Sequence, residues 1–389
     1  MEPGHRRETM SLNAREHADA MQDYIRQGTE RALALPNRGP IVLDDNGKLD
    51  AEIVKNYWEY GFYVFTGVVD GEELAELRAD IERVLDGAPV ERGAELDAHG
   101  RPAIGAEFER GTFSFVNPLS DPVGGTDRNK GRHPVKMLDP SPAEDAPAQT
   151  IANLAGNLQI MDSCLRLYGH RGLLAVAEAV LGPDFVPYNE VTFIKEPGLG
   201  PSVAWHRDGT THWDADDWDR GAHGFNFMVQ LYPSTPGNGV WVLPRSHRER
   251  QLDIRGLVAA SGSERIDGAV PLICEGGDAF IVNRQMLHGS FANTSAERRV
   301  TLNEGFFPRK RIENVTTSML DGTVATFDPE RIRTRSRIIP LAVDARRQRF
   351  PDETPYRYAP LADEPECNRW NEAARETILR DYNLLDMYI

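Results

Sequence analysis

Two spacings of apolar residues divide this chain. Over much of the first half they recur every three to four positions, the mark of one buried helix face. Ile53, Val54, Tyr57 and Trp58 keep that spacing up to Gly61, and Leu74, Leu77, Ile81 and Leu85 keep it in "DGEELAELRADIERVL", whose acidic first turn suits a helix N-terminus. Between these two helices "FYVFTGVV" reads as a strand, and no G-x-G-x-x-G follows it, so the unit is not half of a dinucleotide-binding fold. An earlier helix is expected around "HADAMQDYIRQGTERALAL", ended by "PNRGP". Two more are expected in "AQTIANLAGNLQIMDSCLRLYGH" and "RGLLAVAEAVLG", the second closed by Gly182 and Pro183.

From about residue 184 to 308 the spacing shortens to strand-like runs: "FVPYNEVTFIKE", "GFNFMVQLYP", "GVWVLPRSH", "DAFIVNRQMLHGSFAN" and "RRVTLNEGFFP". Turn signals such as "PGLG", "TPGNG" and "CEGGD" separate them, as in an antiparallel barrel or jelly roll. The expected class is α+β, with a polar, partly helical extension over 1–46, one catalytic domain over 47–308, and a C-terminal extension over 309–389 that is Arg-rich and then helical in "NRWNEAARETILRDYNLL". Residues 87–147 are rich in Gly, Pro, Asp and Arg with little periodicity, which makes them a lid candidate.

Composition narrows the possible partners. With 44 basic against 60 acidic side chains the formal charge is -16, which repels phosphate backbones and anionic bilayers, so neither nucleic acid nor membrane is an expected partner. The three cysteines, Cys164, Cys274 and Cys367, are scattered without a C-x-x-C, arguing against a disulfide framework or thiolate zinc site and fitting a reducing cytoplasm. No stretch approaches the ~20 apolar residues of a membrane helix.

Chemistry concentrates in "AWHRDGTTHW". His206 and Asp208 stand one residue apart after a strand-like run, and His288 follows in "NRQMLHGSFAN". Two neutral imidazoles and a carboxylate on one side of an ion, with the other side open, form the facial triad of non-haem Fe(II) oxygenases. Downstream, strand period places Arg299 on one face with Glu297, Thr301 and Asn303, while Val300 and Leu302 face the other way. An inward guanidinium there can hold a carboxylate bidentately. Ser290, two residues past His288, offers a hydroxyl on the same face. Arg298 is the competing cation, but choosing it turns Val300 and Leu302 into the site. In the preceding strand Glu190, Thr192 and Ile194 share a face, whereas Lys195 is expected to be a solvated strand-end residue. Asn226, Met228 and Gln230 form another alternating set, available to a co-substrate or to backbone groups. His212 is read as a loop residue and His247 as structural.

The order H206-x-D208, "TPGNGVWVLPRSH", "GGD" and "HGSFANTSAERR", with the opening unit "YWEYGFYVFTGVVDGEELAELR", resembles the phytanoyl-CoA dioxygenase (PhyH) family of Fe(II)/2-oxoglutarate oxygenases over roughly 50–86 and 184–308. The resemblance implies a double-stranded β-helix of cupin-like form, iron on His206, Asp208 and His288, and 2-oxoglutarate anchored by Arg299 with Ser290. If their faces are inner, Thr192 and Asn226 also reach the co-substrate. The implied activity uses O2 to hydroxylate an unactivated C–H bond of a small-molecule metabolite, releasing succinate and CO2. The carboxylate of Asp208 favours oxygenation over halogenation, for which related enzymes carry Ala or Gly at that place. One departure is Arg245, which stands where the family usually has Gly before "SH". Two other classes fit the same residues: a cupin-like isomerase or hydrolase that ignores 2-oxoglutarate, and a binding protein that keeps the scaffold without catalysis.

Overall fold

The strand-patterned runs assemble into two sheets in the computed structural model, which describes residues 12–108, 111–208, 224–319, 322–364 and 368–383. In chain order the strands of these two sheets are β1 (Arg38–Gly39), β2 (Phe62–Phe65), β3 (Phe113–Val116), β4 (Thr150–Leu154), β5 (Phe185–Lys195), β6 (Val203–His206), β7 (Phe225–Gln230), β8 (Trp241–Val242), β9 (Val270–Pro271), β10 (Ala279–Asn283), β11 (His288–Ser290) and β12 (Arg299–Pro308), and a separate hairpin pairs Thr316–Ser318 with Val324–Thr326. The larger sheet runs β1-β2-β10-β7-β12-β5-β4-β3 and the smaller one β6-β11-β8-β9. Every pairing in them is antiparallel except β1 with β2. The class is therefore α+β with large antiparallel sheets.

The helices are α1 (Ala14–Leu33), α2 (Ala51–Tyr60), α3 (Gly71–Asp86), α4 (Asn157–Ile160), α5 (Asp162–Tyr168), α6 (Arg171–Leu181), α7 (Ile254–Ala260), α8 (Arg309–Ile312), α9 (Pro329–Ser336) and α10 (Ile338–Arg349). Asp50 and Asp70 cap α2 and α3 by accepting from Glu52 and Glu73 N–H groups, and Gly61 ends α2 at φ 85°, where a Cβ would strike His247. One face of the large sheet carries Ile194, Val229, Ile281, Val300 and Leu302 against Leu77, Ile81, Leu165, Leu174 and Leu341 of the helices. At about 1.5–3 kcal/mol for each fully buried large apolar side chain, this layer is the main source of stability. The sheet's other face carries a second apolar cluster, at Phe62, Val64, Met228, Phe280 and Val282, beside the polar residues of the cavity.

Three stretches differ from expectation. Residues 148–170 are not one helix: "TIANL" forms β4, with alternating burial, because its β-branched start adds to the β5 side of the sheet, and α4 and α5 follow only after Gly156. Phe113–Val116 of the lid candidate pair with β4, so that segment is anchored in the sheet. The Arg-rich region after Pro308 contains α9 and α10, whereas the described residues of "NRWNEAARETILRDYNLL" contribute a three-residue helix and a π-turn.

Both extensions are packed onto the rest. Tyr24 of α1 stacks on Trp241 at 4.4 Å between ring centroids, and its hydroxyl donates to the Ile266 carbonyl at 2.9 Å. Gly28 makes that approach possible, since a Cβ there would lie 2.4 Å from the Trp241 ring. At the other end, Arg346 of α10 donates to both oxygens of Glu73, at 2.6 and 3.1 Å, and to Glu353. The Arg346–Glu73 pair is buried, so removing one partner strands a charge. Arg346→Ala is expected to lower unfolding free energy by about 3 kcal/mol or more, read from urea denaturation.

A second feature of the helix-covered face is an acid pair. Glu190 and Glu304 are register partners on β5 and β12, both buried. Burial pushes Glu190 up to about 8 and Glu304 well above the carboxylate range, the latter also by facing Glu190. The folded state therefore binds more protons than the unfolded chain above about pH 4.5, and stability should fall as pH rises towards 8. Melting curves should show that decline in the wild type and a flatter profile in Glu304→Gln.

Candidate active site

His206 ends β6 and His288 begins β11, and the antiparallel pairing sets them directly opposite one another. Their ring centroids are 4.2 Å apart. Each ring is oriented by its Nδ1, which faces a carbonyl two residues earlier: Ala204 at 2.8 Å for His206 and Met286 at 3.0 Å for His288. That bond places the proton on Nδ1 and leaves both Nε2 lone pairs free. Asp208 follows β6 with its N–H donating to the Arg284 carbonyl, and its Oδ1 lies 3.4 Å from Nε2 of His206 and 3.8 Å from Nε2 of His288. The three ligand atoms all lie within 4.8 Å of one another, the one such buried His/Cys/Asp/Glu group among the described residues.

The electrostatics suit a cation. Burial, then the adjacent His206, lowers His288 to about 4, so its ring is neutral at pH 7. Burial alone would raise Asp208, but Arg284 and the two imidazoles hold it well below the usual carboxylate range. Asn226 of β7 donates to the other carboxylate oxygen of Asp208 at 2.6 Å and accepts from Arg284 at 2.8 Å. This chain fixes the carboxylate with Oδ1 turned towards the imidazoles. Two imidazole nitrogens and one carboxylate oxygen fit a divalent iron ion with an open side.

A cavity of about 250 Å3 opens on the cluster and is lined by His206, Asp208, His288, Ser290, Arg299 and Asn226 among others. Arg299 points into it, with Nη1 donating to the Asn238 carbonyl at 3.1 Å and Nε without a partner. Arg298 points outward to Glu82 and Glu196. Lys195, expected to be solvated, is instead buried opposite Arg299, its Nζ donating to the Phe291 carbonyl at 2.5 Å. Burial, and then Arg299, push the Lys195 ammonium well below its usual range, and burial brings Arg299 to about 10. Among the described residues, neither side chain bonds a carboxylate: Lys195 and Arg299 both donate to backbone carbonyls.

Thr192 needs correcting. It lies opposite Leu302 on the helix-covered face, and the strand's parity turns Val191, Phe193 and Lys195 to the cavity instead. Asn226 lines the cavity, yet both ends of its amide are engaged by Asp208 and Arg284. His247 is buried in its turn, facing the Trp58 carbonyl, and Arg245 takes up φ 69° itself, with its guanidinium on Glu59 and over the Tyr60 ring. His212, with the rest of 209–223, lies outside the described residues.

A residue missed by sequence reading is His133. Its ring stacks on His206 at 4.1 Å and 26°. It comes from an aperiodic loop, so only tertiary contact reveals it.

The sequence model of the family described as phytanoyl-CoA dioxygenase (PhyH) matches residues 57–301, well over half of the chain. The chain belongs to the PhyH family. Membership brings iron and 2-oxoglutarate as cofactor and co-substrate, and the donor set above is chemically fit for the ion. No curated protein matches the sequence. Solved structures similar to this PhyH chain include EvdMO1 (19% identity over 65% of this chain and 49% of that one, TM-score 0.45) and AviO1 from Streptomyces viridochromogenes Tue57 (19%, 68% and 96%, TM-score 0.44). Another is the non-heme alpha ketoglutarate dependent epimerase SnoN from nogalamycin biosynthesis (17%, 66% and 82%, TM-score 0.43). The match to EvdMO1 spans about half of that protein.

If Asn226 orients the carboxylate, Asn226→Ala should weaken Fe(II) binding about 10–100-fold, measured by competition with a chromophoric chelator.

Proposed function

We propose that this PhyH-family enzyme hydroxylates an unactivated C–H bond of a small-molecule metabolite, within a double-stranded β-helix whose two antiparallel sheets meet at the site. The domain boundaries read from the sequence, about 47–308 with extensions at either end, go with this proposal. The observation that carries it is the convergence, in one cavity, of the His206, Asp208, His288 donor set with the Arg299 and Lys195 cations. Bound iron would supply the power to use O2, one atom entering the substrate and the other entering succinate as 2-oxoglutarate loses CO2.

The chain's own residues do the rest. His206 and His288 present Nε2, Asp208 presents Oδ1, and Asn226 with Arg284 keeps that oxygen from rotating away. Arg299 and Lys195 bind the far carboxylate of 2-oxoglutarate, and Ser290, on the cavity wall, adds a hydroxyl to that end. The apolar walls at Val191, Phe193 and Met228 exclude water, which strengthens these charge contacts.

Mixed anaerobically with Fe(II) and 2-oxoglutarate, the protein should develop a visible charge-transfer band that His206→Ala abolishes; no band, and no succinate under air, would refute the reading. Arg299→Ala should raise the KM for 2-oxoglutarate at least about 30-fold, from the loss of about 2 kcal/mol or more when a buried charged contact is truncated. Lys195→Met should raise it as well, whereas an enzyme that ignores 2-oxoglutarate would register neither change.

A further inference from the structure

Past the cation pair, two of the cavity's uncharged side chains carry a buried polar atom without a hydrogen bond. Asn303 shares the cavity face of β12 with Arg299 and Thr301; it is 2% exposed, and its Oδ1 has no hydrogen-bond partner. His133 is 3% exposed, lies against His206, and its Nδ1 is likewise without a partner. Neither position is loosely held. Asn303 sits within a strand paired on both sides. The loop bearing His133 is pinned by Asp121, whose carboxylate accepts from the Gly124 N–H at 2.8 Å and the Met137 N–H at 2.7 Å, and by the Gly125 N–H on the His133 carbonyl at 2.8 Å.

Leaving a buried polar atom unpaired costs about 1–3 kcal/mol, so two of them held rigidly in the lining of one cavity favour a hydrogen-bonding guest. The charges say which guest. Lys195 and Arg299 stand at the co-substrate end, and Arg132, the cation beside His133, is already engaged. Among the described lining residues no carboxylate is left over for a cationic substrate: Asp121 is spent on backbone N–H groups and Asp208 belongs to the metal cluster. The lining also includes the apolar side chains of Val116, Ala152, Val191 and Phe193.

We propose that His133 and Asn303 form the recognition site for the oxidised molecule, and that this molecule is an uncharged, hydroxyl-bearing compound rather than an acyl thioester or free carboxylic acid. The inference deepens the oxygenase reading and rests on it. A site built to hydrogen-bond a hydroxyl discriminates strongly, by up to about 10^4-fold, against an analogue lacking it.

The test loads the full-length protein with Fe(II) and 2-oxoglutarate and first records the anaerobic band. Succinate release under air is then compared for phenyl glycosides and hydroxytetralones, their deoxy counterparts, decanoyl-coenzyme A and decanoate. At least one hydroxylated ring probe should raise release tenfold or more over its deoxy partner and over both acyl probes. His133→Phe, which keeps a ring against His206, and Asn303→Leu should each cut kcat/KM for that probe about 100-fold. The KM for 2-oxoglutarate and the band should stay within about threefold, and melting curves establish that each variant is folded. Stimulation by the acyl probes alone, by no hydroxylated ring probe, or equally in wild type and both variants overturns the proposal while leaving the oxygenase intact. An absent band in the wild type overturns the oxygenase reading, and this one with it.

Discussion

The pairing of β6 with β11 is the constraint on which everything else depends. It sets His206 across from His288 by backbone hydrogen bonds alone, before any ion is considered. Placing two imidazoles 4.2 Å apart and a carboxylate beside them in a buried setting is unfavourable for any protonation state that leaves like charges adjacent. Burial answers part of this by keeping His288 neutral, and the Arg284–Asn226–Asp208 chain answers the rest by stabilising the anion. The same arrangement that makes the group costly without a cation makes it a ready receptor for one.

The large sheet then divides labour by parity. On β5 and β12 one set of alternate residues packs against helices and the other faces the cavity, so Leu302 and Arg299 can belong to the core and the site within the same strand. Register couples the two strands: once Arg299 faces inward, its partner Lys195 must do so too. Two buried basic side chains result, and with them an electrostatic demand for an anionic partner. The helix-covered face carries the opposite case in Glu190 and Glu304, which burial keeps towards the protonated form.

Family membership and the site bear on different questions. The match over 57–301 places the chain among PhyH proteins and brings iron and 2-oxoglutarate with it. Arg245 shows how far local chemistry can move within that frame: where the family usually has Gly, this chain holds an arginine at positive φ. The guanidinium contacts to Glu59 and Tyr60 offset a strain of about 1–2 kcal/mol. The turn survives because tertiary contacts compensate for the missing glycine.

By itself the sequence determined what local periodicity and motif spacing can carry: the α2–β2–α3 unit, the run of strands after residue 184, the H-x-D with its distant histidine, and the choice of Arg299 over Arg298 from the alternation of Val300 and Leu302. It misread "TIANL" as helix and Thr192 as inward. Strand parity relative to a cavity depends on which partner each strand meets, and that is a property of non-local pairing. His133 was out of reach, and the choice between a solvated and an inward Lys195 went to the wrong side, for the same reason. A charged residue at a strand end looks solvated until a second sheet covers it, and a histidine in an aperiodic loop has no pattern to announce that it will rest on a metal ligand. Only the tertiary structure decided those, because burial and ring contact are created by segments far apart in sequence closing over one cavity.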